Sequence, residues 1–455
     1  MSEFDLVVCG RVVTPDAVLD QGWVAVSGET IAAVGTGTPP AAKVVHDAGD
    51  AYVLPGAIDG QTHATSYGGL PGLESTTRSA VAGGVTTIVD MPYDSPDPLD
   101  SMEKFRAKAE AVALYSHGDV ALYGTISAGQ PLDQIEALRD AGICAIKISW
   151  FESNPRRFPR IPADQTLALL KEAARVGLPV GLHNEDQEIV LAEIARLKAE
   201  GKITPEWHEP SRPEAAELVA TVGFLELGVA AGAHVHIVHI STPRGYDLVT
   251  RYREDGFNAT AELCIHYLLL DAGRDTARLG ARMKVSPPIR AGVIDQLWQR
   301  LEEGAVEFVS SDHSSWPIAN KFKESIFDAG AGIPGLETLV PSFFTVLKER
   351  VEDPALWMAK YLSEKPAKFF GLWPRKGALM PGFDADILVL KPEDVVFDAA
   401  KTHDDLNWSP FDGDTFAASV TATWLRGQPV FADGVVLGKP GDGRYIPRIA
   451  PEAAA

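Results

Sequence analysis

Cysteine is scarce in this chain: Cys9, Cys144 and Cys264 are the whole complement of 455 residues. They are far apart, odd in number and without a CxxC pair. That excludes a disulfide framework and a zinc finger, and it suits a reducing compartment. Positive charge is also short, with 41 Lys and Arg against 62 Asp and Glu and a formal net charge of -21. Nucleic acid and anionic membranes both demand basic patches, so neither is expected as a partner. The excess negative charge reads instead as keeping the protein soluble. No uncharged apolar run is long enough to span a bilayer. The first ten residues, MSEFDLVVCG, lack the basic and long apolar stretches of a signal peptide. A cytoplasmic location is the expectation. There is no internal repeat at a solenoid period and no low-complexity segment.

What is present is apolar: hydrophobic residues make up 45% of the chain, enough for a large domain plus a smaller one. The stretch Val53-Leu54-Pro55-Gly56-Ala57-Ile58-Asp59-Gly60-Gln61-Thr62-His63 ends in three polar residues at alternate positions. Strand side chains repeat every two residues, so Asp59, Gln61 and His63 are expected to face the same way. Three polar groups converging at the end of a buried strand are costly unless something satisfies them, and a divalent metal would.

Eight short apolar runs, at 53–59, 85–90, 119–125, 143–149, 178–183, 234–240, 257–263 and 306–312, alternate with helical stretches. The helices are expected at Leu73–Ala82, 102–114, 131–141, 163–176, 186–200, 213–231, 244–255 and 292–303. These stretches are rich in Ala, Leu, Glu and Lys, and Pro98, Pro131, Pro162 and Pro213 fall near their starts. That alternation is the signature of a (β/α)8 barrel. Strand-like segments at 4–13, 22–34, 378–390 and 418–437 flank it and are expected to pack together as a small β-sandwich. The expected domains are therefore the barrel over 53–372 and the sandwich over 1–52 and 373–455. The Pro- and Ala-rich tail after Tyr445 is expected to fray or dock on a neighbour.

Catalytic groups of such barrels sit at the C-terminal ends of strands. Gln61 and His63 end the first run, Lys147 lies near the end of the fourth, and His183, His239 and Asp312 end the fifth, sixth and eighth. Three imidazoles, an amide, an ammonium and a carboxylate on one rim point to a metal site. A lysine in an apolar strand is rarely buried unless paired, so a core salt bridge to Asp312 is the plain alternative for Lys147. Burial would also leave a neutral amine, able to add carbon dioxide and become an anionic carbamate that ligates metal. His234 and His236 have the opposite parity to the site and are expected to point outward. His46, His117, His208 and His403 read as surface or loop residues, and His266 and His313 as neighbours of the rim. Arg156, Arg157 and Arg160 follow the fourth strand. Solvated loop charge is their commoner outcome, although arginine also suits a carboxylate.

These residues resemble a known family. PGAIDGQTH at 55–63, AVAGGVTTIVDMPYDS at 80–95, GICAIKIS at 142–149, GLHNED at 181–186, HIVHIST at 236–242, MKVSPPIR at 283–290, SSDHS at 310–314 and PGFDADILVL at 381–390 are similar to the amidohydrolase superfamily. The branch is that of allantoinases, dihydropyrimidinases (hydantoinases) and dihydroorotases. The VDMP, KVSPPIR and SRPEAAE stretches look most like allantoinase. The resemblance implies two divalent metals, zinc or manganese, held by His63, a carbamylated Lys147, His183, His239 and Asp312. It implies that a water ionised on the metal attacks a cyclic amide, with Asp312 moving the proton. Ser286 and Gly332 match positions whose backbone holds the ring.

Gln61 departs from the pattern, because the family usually has histidine there. An amide oxygen is a weaker metal donor than imidazole. The expectation is one firm metal at Lys147, His183 and His239 and a second, weaker or absent, beside His63. Allantoin is the leading substrate expectation, with dihydropyrimidinase-type or cyclic imide hydrolysis as the alternative. A metal-poor homologue that serves only for binding or structure is the reading from another class. The family also implies a homo-oligomer, dimer or tetramer.

Overall fold

The computed structural model describes residues 4–449. The terminal segments build one layer together. Strands Phe4–Val13, Val18–Ser27, Thr30–Thr36 and Ala42–Pro55 join Ile387–Lys391, Ser419–Leu425, Gln428–Ala432 and Val435–Val436 in one continuous eight-stranded sheet. The junction is the antiparallel pair Val53↔Val389 and its neighbours. Leu6, Val8, Val24 and Val26 from the first half and Ile387, Val389 and Trp424 from the second share one apolar core, which makes this the small β-sandwich.

The apolar run read as the first barrel strand divides between the two domains. Its residues up to Pro55 end the sandwich strand Ala42–Pro55, and the barrel strand is Ala57–His63. The division falls at Gly56, where a Cβ would sit 2.3 Å from Thr86 Oγ1, so only glycine permits the close approach.

From there Ala57–His63, Val85–Asp90, Asp119–Gly124, Ala145–Ser149, Val180–His183, Val235–Ile237 and Ala259–Ala261 lie side by side and parallel. The eighth strand is split. Val309–Ser310 pairs with Leu263–Cys264, and His313–Ser314 pairs with Thr62–His63 of the first strand. These two pairings carry the ring round from seventh strand to first. The barrel is filled from below by Ile58, Val89, Tyr123, Phe308 and Phe370. It is a packed core with a working rim, as this fold requires.

The outer helices follow their sequence periods. In Ala163–Val176 the buried residues are Thr166, Leu169, Leu170, Ala173 and Val176, a stripe at spacings of three and four. Pro162 precedes its first turn, and Gly177, at φ 75°, closes it in the left-handed conformation. Among the described residues no helix is long and apolar enough to cross a membrane.

The two domains are joined at the barrel's lower end by buried charge. The Lys376 ammonium lies 2.8 Å from Asp119 at the start of the third barrel strand, 2.5 Å from Asp386 and 3.1 Å from Asp384. Arg426 also bonds Asp119. The tail neither frays nor reaches elsewhere as far as it is described. Ile446 N–H donates to Val120 O at 2.8 Å and Arg448 N–H to Gly142 O at 2.9 Å, both on this chain's own barrel. The rest of the tail lies outside the described residues.

Candidate active site

Three interruptions of the barrel strands shape the rim. The sixth strand stops at Ile237, the seventh breaks at Glu262, and the eighth breaks at Ser311-Asp312. His239 and Asp312 both take positive φ, 40° and 49°. Non-glycine residues adopt that region at a cost, and such strain gathers at functional sites. Both side chains are thereby turned onto the wall of a cavity of about 570 Å3. His63, Lys147 and His183 line it too, as do Ser286 and Gly332.

Asp312 connects the first strand to the eighth. Its Oδ1 accepts from Gln61 Nε2 at 3.0 Å and lies 3.5 Å from His63 Nε2. Its Oδ2 takes no hydrogen bond from the described residues. Burial opposes ionisation, but the hydrogen bond with His63 and the electrostatic influence of His63, His266 and Lys147 outweigh it and hold the carboxyl below the ordinary range. Gln61 stands behind Asp312 rather than on the cavity wall, and its buried Oε1 has no partner. Asp59 does not join the site. One layer lower, it accepts from Ser311 N at 2.8 Å, Ser311 Oγ at 2.6 Å and Thr62 Oγ1 at 2.5 Å, and so anchors the kink that carries Asp312.

His183 and His239 meet at the opposite side. Nδ1 of His183 is 3.0 Å from Nε2 of His239, and His239 Nδ1 is buried without a partner. Burial pulls the pKa values of both rings down. The other nitrogen of His183 lies 2.8 Å from Glu185, which also bonds Arg212. Burial opposes ionisation of Glu185, yet Arg212 and His183 hold it at about 2. A carboxylate fixed on one ring nitrogen leaves the lone pair on the other, facing the cavity.

Lys147 is 1% exposed and makes no salt bridge or side-chain hydrogen bond among the described residues. The core salt bridge to Asp312 is therefore not formed. Burial lowers its ammonium to about 8, opposed by Glu262 and Asp312. Burial raises Glu262 itself to about 8, opposed by Lys147. Sequence reasoning passed over Glu262, although an ionisable side chain inside an apolar run, Ala259-Thr260-Ala261-Glu262-Leu263-Cys264, is the signal that marked Lys147.

His236 does not point outward. It is fully buried inside the barrel, 5.4 Å from the Phe308 ring and 3.4 Å from Glu262 Oε2. The parity argument failed because the strand ends at Ile237 and His239 is in a left-handed turn. His117 and His208 lie in turns but are buried. His403 pairs with Glu337.

The stretches around the rim form its support. Arg290, from MKVSPPIR, donates to Ser241 Oγ at 3.0 Å and to Arg212 O at 2.8 Å, and lies 3.1 Å from Glu217. It thus ties three loops together. Gly332, at φ 115°, has its N–H engaged by Lys284 O at 2.9 Å, while no described residue donates to its carbonyl. A Cβ there would sit 2.5 Å from Ser314 Oγ. Ser286 carries a buried hydroxyl with no partner.

The donor set suits a divalent cation. Two imidazoles face each other on the cavity wall, and Lys147, without a salt bridge among the described residues, lines the same wall. Asp119, Asp384 and Asp386 also converge, but the Lys376 ammonium already occupies their centre.

The architecture is an eight-stranded barrel with ionisable groups on its upper rim, beside a sandwich built from both terminal segments. Residues 52–430 match the amidohydrolase family, and the chain belongs to it. The chain is 36% identical over 458 residues to an allantoinase of Rubrobacter xylanophilus, covering 98% of each. It is 31% identical over 464 residues to an L-hydantoinase of Paenarthrobacter aurescens, covering 99% of this chain and 100% of that one. The solved L-hydantoinase (dihydropyrimidinase) from Arthrobacter aurescens superposes with a TM-score of 0.92 at 31% identity, over 98% of this chain and 100% of that one.

Proposed function

We propose that the protein opens the ring of a cyclic ureide by hydrolysing a ring amide. Allantoin is the first candidate, and hydantoins, dihydropyrimidines and cyclic imides are the alternatives. The observation that carries this reading is the convergence of His63, Lys147, His183, His239 and Asp312 on one cavity. Ionisable groups gathered on one cavity wall, with Lys147 buried and without a salt bridge among the described residues, would be an expensive way to build an inert scaffold, which weighs against a non-catalytic homologue.

In this reading His183, His239 and Lys147 hold the firm divalent ion, zinc or manganese. Lys147 acts as a carbamate, formed when its amine adds carbon dioxide and releases a proton. The bound ion supplies a Lewis acid that polarises the ring carbonyl and eases ionisation of water. Asp312 does the proton work. Its Oδ1 is engaged by Gln61, so Oδ2 takes the proton of the attacking water and passes it to the leaving ring nitrogen. Gly332 offers its free carbonyl to a ring N–H, and Ser286 offers its backbone and hydroxyl to the opposite edge. Ring opening of allantoin, hydantoins, dihydrouracil, dihydroorotate and cyclic imides by metal-loaded protein tests the reading. A panel in which every ring stays closed would defeat it.

Gln61 sets the metal count. Its amide N–H donates to Asp312 Oδ1, so it takes up a carboxylate oxygen instead of offering a nitrogen ligand. The position beside His63 is left with weaker, oxygen-rich ligation, which favours harder ions such as manganese over zinc. Titration of metal into chelated protein is expected to show one tight site and a second that is weak or absent. Gln61→His is expected to raise the content towards two per subunit. Two equally tight sites in the wild type would contradict this account.

A further inference from the structure

The loop after the fourth barrel strand carries three arginines, and the structure separates them. Arg156 lies across Asp97 with two bonds of 2.6 and 2.8 Å, and Arg160 pairs with Glu188 at 2.9 Å. Both are neutralised outside the cavity. Arg157 turns inward and lines it. It has no acidic partner among the described residues; its one side-chain hydrogen bond is from Nη1 to Tyr93 O at 3.0 Å, and its guanidinium lies 6.0 Å from the centre of the Tyr67 ring. The nearest buried acid, Asp94, is already engaged by Lys108 at 2.6 Å and by Thr65.

Apart from Lys147, which belongs to the proposed metal site, the remaining cations of the cavity are engaged. Arg212 bonds Glu185, Lys198 lies 3.3 Å from Asp328, and Lys284 donates to the carbonyls of Ile326, Phe327 and Ala329. Arg157 is thus left as a half-buried guanidinium on the cavity wall with a single side-chain hydrogen bond among the described residues. It stands close to the reacting centre. The Tyr93 carbonyl that it bonds also accepts from Ser66 Oγ at 3.0 Å, and Ser66 Oγ is 3.2 Å from His63 Nδ1. Three hydrogen bonds thus lead from Arg157 to an imidazole of the proposed metal site. Glu152, on the same loop, is exposed at the mouth, where solvent screens it.

We propose that the cavity prefers a ring with a carboxylate on a short arm, received by Arg157, which ranks acid-bearing hydantoins and dihydropyrimidines above allantoin, whose arm is neutral. The inference rests on the ring-opening reading and adds the charge of the substituent to it. A guanidinium presents its N–H groups as a planar fork that matches a carboxylate with two parallel bonds. One uncommitted guanidinium balances one negative charge, which suits a carboxylate better than the nearly doubly charged phosphate. The cavity, at about 570 Å3, has room for a five- or six-membered ring and such an arm.

The test compares 5-carboxymethylhydantoin with its neutral isostere, 5-carbamoylmethylhydantoin, using metal-loaded wild type, Arg157→Gln and Arg157→Lys. Wild type is expected to favour the carboxylate in kcat/KM by about tenfold or more, the scale of a desolvated charge pair. Arg157→Gln is expected to abolish that preference. The loss should fall mainly on KM for the carboxylate and leave the neutral arm within about threefold, as expected of lost binding shared by ground and transition states. Arg157→Lys should restore part of the preference. Equal or reversed preference in the wild type overturns the proposal. So does a parallel fall for both arms in both variants, which would make Arg157 an anchor of its loop on Tyr93. Ring opening without charge preference leaves the proposed function standing and removes only this inference. Failure to open any ring removes both.

Discussion

Lys147→Ala is expected to empty the metal site and to lower ring opening by more than about a hundredfold, since losing even an outer partner of a metal ligand already costs 10- to 100-fold. Lys147 is enclosed in the fourth barrel strand with no ion pair, and burial lowers its ammonium towards neutrality. An unpaired buried ammonium is costly and gives nothing to the fold in return. Its alanine variant should therefore fold, with an unchanged far-UV circular dichroism spectrum. What it loses is the anionic oxygen pair that a carbamate would supply to an ion held with His183 and His239. Short carboxylic acids such as acetate or propionate, diffusing into the space left behind, should restore part of the metal content and part of the activity. An alanine variant that keeps both metal and turnover would refute the carbamate.

Asp312→Asn should leave the fold intact and reduce turnover by about 100- to 10,000-fold, the usual scale for a group that moves a proton in the transition state. The asparagine carbonyl can still accept from Gln61, so the link between first and eighth strands survives. The oxygen that changes is the one facing the cavity without a partner, and an amide there cannot take a proton from water. Metal content measured alongside separates the two duties of this residue. Metal retained with turnover lost identifies proton transfer, and near-wild-type turnover would end the assignment.

Much of this architecture is readable from local pattern because the pattern is itself a packing requirement. Helices Leu73–Ala82 and Ala163–Val176 have the bounds that their apolar stripes and flanking Pro and Gly residues indicate. The rim residues were visible because an ionisable side chain at the end of an apolar strand violates the rule for a core. Where the reading failed, the deciding contact lay far away in sequence. Period alone could not divide the run at 53–59, since the boundary at Gly56 is imposed by Thr86 from the next strand. Parity misplaced His236 because the strand stops one residue later and His239 turns left-handed, a conformation that no local preference of histidine announces. Glu185 and Arg212 are separated by an entire helix, and nothing local pairs them. Arg157 looked the same as Arg156 and Arg160 until the acids that claim the other two were placed.

The central claim is that this barrel opens a cyclic amide by means of an ion held at Lys147, His183 and His239. It is tested most directly by following ring opening of one hydantoin or of allantoin with protein as purified, after chelation, and after reloading with zinc or manganese, with bound metal counted in the same samples. The account predicts that activity disappears with the metal and returns as the first ion per subunit is restored. Ring opening that survives complete removal of metal, or a fully loaded protein that opens no ring, would contradict it.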